Sequence, residues 1–90
     1  MKLRLIFADQ GWEDVCHWMA TDRKILKRLV RLIDECRTTP FEGIGKPEPL
    51  RENLSGYWSR RITDEHRLVY KVSGDKLWIA QARYHYTKSR

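Results

Sequence analysis

One carboxylate, two arginines and one histidine in the second half of the chain could together carry out acid–base chemistry. Glu48 lies between two prolines, Arg61 and Arg67 fall on neighbouring predicted strands, and His85 follows the last predicted strand. A carboxylate can remove a proton, an imidazole can supply one, and guanidinium groups can hold a phosphate that gains charge. Transesterification of RNA at a ribose 2′-hydroxyl needs these groups, although as a pattern they are suggestive rather than diagnostic.

Each of these residues also has an ordinary structural explanation. The two arginines could be neutralised by Asp64, Glu65 or Glu52, as basic side chains on a protein surface often are. Glu48 could be a solvated loop residue, but the flanking prolines restrict its backbone to an extended form. This rigid setting favours a positioned base.

The other histidines and several aromatic residues have weaker signals. His17, on the first predicted helix, is expected to pack or to lie at the surface, and His66 could form hydrogen bonds in a turn. Tyr57, Tyr84 and Tyr86 could stack on RNA bases.

The elements that position these groups are predicted from hydrophobic periodicity and turn residues. Their order, β-α-α-β-β-β, predicts an α+β fold in which two helices pack on one face of an antiparallel sheet. Asp9 is predicted to cap the first helix, and Asp22 the second. The predicted bounds are a strand at Lys2–Phe7, a helix from Asp9 through Ala20, a second helix from Asp22 that Pro40 ends, and strands at Tyr57–Thr63, Arg67–Val72 and Lys76–Arg83.

Side-chain alternation predicts which groups face the helices. Trp58, Arg60 and Ile62 share one face of their strand, and Trp58 and Ile62 are expected to meet the helices. This turns Ser59 and Arg61 to the open side of the sheet, with Arg67 beside Arg61. The last strand is apolar on both sides, so its faces stay undecided. On the helices, the predicted apolar stripes are Trp12, Val15, Cys16 and Met19, and then Ile25, Leu26, Leu29, Leu32, Ile33 and Cys36.

Composition limits the kind of protein and its partners. Ninety residues predict a single domain, 1–90, and 18 basic against 12 acidic residues favour a polyanionic partner such as nucleic acid. Residues 41–56 form a long Gly- and Pro-rich loop, which is typical of a functional or disordered segment. Two isolated cysteines and no Cys/His cluster predict neither a disulfide framework nor a metal or other cofactor. The first apolar run is too short for a signal sequence or membrane span, which predicts a cytoplasmic protein.

The stretch TPFEGIGKPEPLRENLSGYWSRRITDEHRLVY and the later ARYHY resemble the YoeB toxins of the RelE/ParE superfamily. The resemblance implies a toxin of a type II toxin–antitoxin pair that cuts mRNA in the ribosomal A site and halts translation. It assigns Glu48 as general base, His85 as general acid, Arg67 to the transition state and Arg61 to the scissile phosphate. It also implies that Lys46, Arg51 and Tyr86 contact substrate.

The resemblance further implies partners: a YefM-like antitoxin, the 70S ribosome, mRNA, operator DNA through the antitoxin complex, and a second copy of the toxin. Members commonly end at the His-Tyr pair, whereas this chain continues as Thr87–Arg90, which is expected to form a flexible tail. Two alternatives remain: a non-enzymatic inhibitor of gyrase on the same fold, or a basic module that only binds RNA. Neither needs an acid–base pair.

Overall fold

In the computed structural model, which describes residues 2–85, a five-stranded sheet carries two helices on one face. The strand order is β1-β5-β4-β3-β2. The predicted α+β class and the two-helix layer are confirmed, whereas Tyr86 and the predicted tail Thr87–Arg90 lie outside the described residues. The elements are β1 Arg4–Phe7, α1 Asp9–Thr21, α2 Arg23–Cys36, β2 Glu48–Pro49, a 3-10 helix Glu52–Leu54, β3 Trp58–Arg61, β4 Arg67–Ser73 and β5 Lys76–Gln81.

The prediction of a purely antiparallel sheet was wrong, because β1 runs parallel to β5 at the edge of the sheet. Alternation reports which side chains are buried, but it does not report the direction of a neighbouring strand that lies far away in the chain. The sheet also gains β2, a two-residue strand inside the loop predicted at 41–56, which pairs antiparallel with β3.

A register shift explains why the faces of β5 could not be read from its sequence. Tyr70 pairs with Ile79, but the preceding residue, Val69, pairs with Gln81, so Ala80 is an extra residue in β5. Such a bulge reverses the side-chain parity beyond it. As a result Ile79 and Ala82, three residues apart, are both fully buried in the core beneath the helices.

The face of α1 that meets the sheet consists of Gly11, Asp14 and Trp18, all buried. The helix lies so close to β5 that a side chain at Gly11 would collide with the carbonyl oxygen of Ile79. Glycine is therefore required at this position by close approach rather than by backbone conformation.

The predicted apolar stripe and cap of α1 were therefore wrong in part. Trp12 and Met19 are 51% and 53% exposed, while Val15 packs against the core as predicted. The N-cap position is Ala8, without a side-chain cap, and Asp9 is the first helical residue. A carboxylate in the first turn still interacts favourably with the helix dipole.

The second helix follows its prediction closely. Asp22 accepts hydrogen bonds from the backbone N–H groups of Lys24 and Ile25, both 3.1 Å long, and so caps α2. The helix ends at Cys36, four residues before Pro40. Its apolar face is buried in the core, through Leu29, Leu32, Ile33 and Cys36.

Both cysteines are free, and burial raises the pKa of the Cys36 thiol to about 11, so it stays protonated at neutral pH. Among the described residues, no helix is long and apolar enough to cross a membrane.

Candidate functional site

Three of the four candidate residues lie on the face of the sheet that is opposite the helices. Arg61 and Arg67 are direct partners across β3 and β4, and Glu48 is the partner of Ser59 across β2 and β3. Cross-strand partners point to the same face, as do residues two apart in one strand. Glu48 is consequently a diagonal neighbour of Arg61, at a Cα separation of about 7–8 Å.

His85 reaches the same end of the sheet through the turn between β3 and β4. The carbonyl oxygen of Asp64 in that turn lies 3.2 Å from His85 Nε2 and accepts a 3.0 Å hydrogen bond from Arg67 Nη1. Because both nitrogens contact one oxygen at 3.0 and 3.2 Å, they lie within 6.2 Å of each other. A carbonyl can only accept, so Nε2 of His85 carries the proton in this arrangement.

Along β3 the candidates follow a clear order. The row that contains Glu48 comes first, the arginine pair comes next, and the turn that holds His85 comes last. Along the direction of β3, the predicted base and the predicted acid therefore lie on opposite sides of the backbone row that carries the two arginines.

The turn at residues 62–66 holds the Arg67 guanidinium in place. Its Nη1 donates to the carbonyls of Thr63 and His66, at 2.6 and 3.1 Å, in addition to that of Asp64. The alternative in which Asp64 or Glu65 neutralises the arginines does not match these contacts. Asp64 meets Arg67 through its backbone carbonyl, and the Glu65 carboxylate lies 4.0 Å from His66 Nε2.

Lys46 lies next to the arginine pair, on the side of β3 that is away from β4. The preceding residue, Gly45, accepts a 2.7 Å hydrogen bond from the backbone N–H of Arg61. Lys46 itself has a φ of 51°, a left-handed conformation that is uncommon for a residue with a side chain. Glu48 follows in extended form within β2, as its flanking prolines predict.

Backbone strain flanks both ends of the candidate site. Among the described non-glycine residues, positive φ occurs at Lys46, Glu52 and Tyr84. Lys46 lies two residues before Glu48, and Tyr84 lies directly before His85. Strained conformations of this kind persist where the surrounding structure fixes them, and they are frequent at functional sites.

Arg51 is the described candidate that the fold does not bring to the arginine pair. Leu50 donates to the carbonyl of Tyr57 at 2.9 Å, which places Arg51 beyond the far end of β3 from Arg61. Its exposed side chain could meet substrate only at a distance from the arginines. Tyr86, the remaining candidate, lies outside the described residues.

The centre of this face is less open than alternation predicted. Ser59 and Val69 each have 2% exposure, and Leu50, on the same face, has 7%. Leu50 and Val69 do not belong to the core beneath the helices. The exposed part of this face is therefore the end of the sheet that carries Arg61, not the whole face.

Known proteins share the sequence pattern and the fold of this chain. Residues 7–86 match the family model described as the YoeB-like toxin of bacterial type II toxin–antitoxin systems. The chain belongs to this family. A toxin YoeB from Streptomyces coelicolor is 60% identical over 84 residues, which cover 93% of this chain and all of that protein.

Solved structures of YoeB-family toxins share the fold. A YoeB/ParE toxin from Agrobacterium tumefaciens aligns with a TM-score of 0.90 at 45% identity, over 93% of this chain and all of that one. YoeB from Staphylococcus aureus, solved as a dimer and as a YoeB–YefM complex, aligns with TM-scores of 0.86 and 0.85 at 44% and 42% identity, each over 96% of this chain and all of that one. The predicted family and its role as a toxin are thereby confirmed, while the roles of individual site residues stay predictions.

In this YoeB-family chain, sequence reasoning missed Arg60, the most fully buried basic residue near the site. Arg60 has 0% exposure, and its guanidinium donates to the carboxylate of Glu35 at 2.6 Å and to the hydroxyl of Tyr70 at 3.3 Å. It also donates to three carbonyls of the loop that leads to Lys46 and Glu48. Those carbonyls belong to Thr39, Glu42 and Ile44, at 2.6, 2.9 and 3.0 Å.

The signal for this buried cation was present in the sequence. Arg60 lies between Trp58 and Ile62, which alternation already assigned to the helix side, and a buried charge needs a partner. The hydrogen bond from Arg60, with a second from the backbone N–H of Ile44, lowers the pKa of Glu35. Glu35 therefore remains the charged partner that Arg60 requires.

Among the described residues, neither a cavity beside the helices nor any group of acidic side chains adds to the site. A cavity of about 220 Å³ lies between β1 and the helices and is mainly apolar, without any candidate residue in its lining. Within residues 2–85, no cluster of three His, Cys, Asp or Glu side chains could hold a metal ion.

Proposed function

We propose that this YoeB-family toxin is an endoribonuclease that cuts messenger RNA in the ribosomal A site. What supports the proposal is the order along β3 and its turn, in which Glu48 comes before the Arg61–Arg67 pair and His85 after it. In-line displacement at phosphorus needs a base and an acid on opposite sides of the phosphate, with positive charge between them.

In this proposal Glu48 removes the proton of a ribose 2′-hydroxyl, and the 2′-oxygen attacks the adjacent phosphorus. Arg61 holds the phosphate, and Arg67 stabilises the charge that develops on its oxygens. The bond to the 5′-oxygen breaks, His85 protonates that oxygen, and a 2′,3′-cyclic phosphate remains. His85 would release its hydrogen bond to Asp64, or use Nδ1, to reach the leaving group.

Dependence on the ribosome follows from the shape of the site. Arg61, Glu48 and Lys46 are exposed, and the face of a small sheet offers little surface to hold a flexible message in a reactive geometry. A ribosome would supply that positioning by presenting an ordered codon. We expect the isolated toxin to cleave free RNA poorly.

The partners are proposed from the relatives. Because Staphylococcus aureus YoeB is known in complex with YefM and as a dimer, we propose a YefM-like antitoxin and self-association for this chain. Contact with operator DNA would pass through the antitoxin complex, and action on ribosomes would place the toxin in the cytoplasm.

Primer extension on one message in a purified translation system tests the proposed activity. Wild-type toxin is expected to produce cuts within the A-site codon, and Glu48→Gln and His85→Gln are each expected to lower the cleavage rate by about 100-fold or more. Glu13→Gln is the matched control, because Glu13 is an exposed carboxylate on α1, which lies on the other face of the sheet. Inhibited translation with intact RNA would overturn the proposal and point to an inhibitor that only binds, including the gyrase alternative.

A further inference from the structure

The segment that carries His85 is held by side chains from other parts of the fold. At its start, Ala82 donates its backbone N–H to the buried carboxylate of Asp14 at 2.9 Å. The carbonyl of Ala82 accepts from the indole N–H of Trp18 at 2.8 Å. Both backbone groups of Ala82 are thus fixed by α1, which also explains why that helix buries an aspartate against the sheet.

Tyr84, directly before His85, is held from the other side by the β3–β4 turn. Its N–H donates to Nδ1 of His66 at 2.8 Å, and its carbonyl accepts from the backbone N–H of Arg67 at 3.1 Å. Tyr84 has a φ of 61°, so its backbone is in a strained left-handed conformation. The two hydrogen bonds offset that strain and determine the direction in which the chain continues to His85.

The contact at Tyr84 defines the chemical state of the His66 ring. A backbone N–H can only donate, so Nδ1 must accept, and the ring is neutral with its proton on Nε2. Burial lowers the pKa of His66, which favours this neutral form, whereas the nearby Glu65 opposes the shift. The positive charge of Arg83, and protonation of His17 or His85, would favour the neutral form further.

The His66 ring is also fixed by aromatic neighbours. It is 9% exposed and lies edge-on to Trp18 at a centroid distance of 4.7 Å, with the ring of Tyr84 at 5.6 Å. Packing could be supplied by any flat ring of this size, but the hydrogen bond to Tyr84 needs an acceptor at the Nδ1 position.

We infer that His66 is a positioning residue for the proposed general acid, holding the strained Tyr84 backbone through Nδ1 so that His85 faces the arginine pair. This inference rests on the proposed ribonuclease activity. Protonation of Nδ1, or loss of the acceptor, would release Tyr84 and let His85 move away. A misplacement of about 1 Å at a reacting group can cost about 100-fold in rate.

A pair of substitutions separates the acceptor from the packing. His66→Phe keeps a buried ring without an acceptor, and His66→Asn places an amide oxygen near the position of Nδ1. In the ribosome assay, His66→Phe is expected to lower kcat by about 10- to 100-fold with little change in KM, because a ring that is only 9% exposed offers little surface for binding. His66→Asn is expected to recover most of the lost kcat.

Equal losses in both variants, or full activity of His66→Phe, would overturn the inference. If His66→Phe does not fold, as thermal unfolding would reveal, a rise of KM with unchanged kcat in His66→Asn would overturn it as well. A folded His66→Asn with both kcat and KM near those of the wild type would support it.

A second readout does not depend on cleavage. In ¹⁵N-labelled toxin, the His66 ring is expected to show an unprotonated Nδ1 and a protonated Nε2 at neutral pH. The Tyr84 amide is expected to exchange with solvent at least about tenfold faster in His66→Phe than in wild type or His66→Asn. The opposite tautomer, or unchanged exchange, would overturn the positioning role even if the toxin cuts RNA. The expected tautomer and exchange in a wild type that does not cleave would instead show that only the proposed function fails.

Discussion

Arg60 and Arg61 are adjacent in β3, yet their surroundings are opposite. Arg60 faces the helices with 0% exposure, whereas Arg61 faces away from them and is exposed. The alternation of side chains along a strand is the sole cause of this difference. A single pair of arginines therefore serves two purposes: one contributes to the stability of the fold, and the other is available for an anion.

The cost of burying a cation explains why Arg60 makes so many hydrogen bonds. A buried charge is tolerated only when hydrogen bonds and an opposite charge replace water. Arg60 receives both from Glu35, Tyr70 and three loop carbonyls. Burial works against the charged form, but the hydrogen bonds to Tyr70 and Glu35 oppose it, and the pKa of Arg60 is raised. The hydrogen bonds to the loop carbonyls also tie residues 39–44 to β3, close to the start of the segment that carries Lys46 and Glu48.

The largest effect is expected when the two arginines are replaced by the same apolar residue. Arg60→Met should lower the free energy of unfolding by about 3–5 kcal/mol, because it leaves Glu35 without its partner and several polar groups unsatisfied. Arg61→Met should change that free energy by less than about 0.5 kcal/mol, as expected for an exposed position. Urea denaturation of both variants measures the contrast.

The same two variants sharpen the comparison when activity is measured. Arg61→Met is expected to remain folded but to lose cleavage in the ribosome assay, by about 10-fold or more. If Arg60→Met proves as stable as the wild type, the buried cluster is not what holds the loop, and the division of roles between the two arginines is wrong.

The sequence predicted the parts of the fold that depend on local chemistry. Asp22 caps α2 because an aspartate directly before an amphipathic helix can accept hydrogen bonds from the N–H groups of the first turn. Glu48 is extended because prolines flank it. Arg61 and Arg67 became neighbours because a short polar turn joins two alternating strands.

What the sequence did not predict depends on contacts between distant segments. The parallel pairing of β1 with β5 and the bulge at Ala80 are set by packing across the sheet, not by local pattern. The same holds for Asp14, a helical aspartate that looks solvated in sequence but accepts from Ala82, 68 residues later. The link between His66 and Tyr84 is likewise visible only once the turn and the C-terminal segment meet.

A change in pH should test how much the ion pair of Arg60 with Glu35 contributes to stability. The pKa of Glu35 is lowered in the folded protein, so its charged form adds stability above its ordinary pKa of 4.5, and that stability is lost as pH falls through the folded value. Glu35→Gln should therefore be less stable than wild type at pH 7, and the gap should close as the solution is acidified below about pH 4. Urea denaturation at several pH values measures the gap.

Asp34→Asn is the matched control for that experiment. Asp34 is the preceding residue, and its carboxylate lies 3.5 Å from Lys2 in an exposed pair. Exposed pairs contribute little to stability, so this variant should follow the wild type at every pH. A Glu35→Gln gap that stays constant with pH would mean that lost packing, not lost charge, causes the destabilisation.

An effect smaller than that of Arg60→Met is expected at Lys71, a cation on the open side of the sheet with two aromatic partners. Its ammonium lies 5.1 Å from the ring centroid of Tyr57 and 5.9 Å from that of Trp78, which flank it on the same face. Cation–π contacts at accessible sites contribute about 0.5–1 kcal/mol each at most, so loss of both in Lys71→Met should lower the free energy of unfolding by no more than about 1–2 kcal/mol. A double-mutant cycle with Trp78→Leu isolates the contact, and a coupling free energy near zero would assign even that loss to changed packing. Arg60 and Lys71 should differ because only Arg60 is buried and has a full set of hydrogen bonds. A loss in Lys71→Met as large as that in Arg60→Met would instead show that a cation on the open face supports the fold as strongly as one beneath the helices.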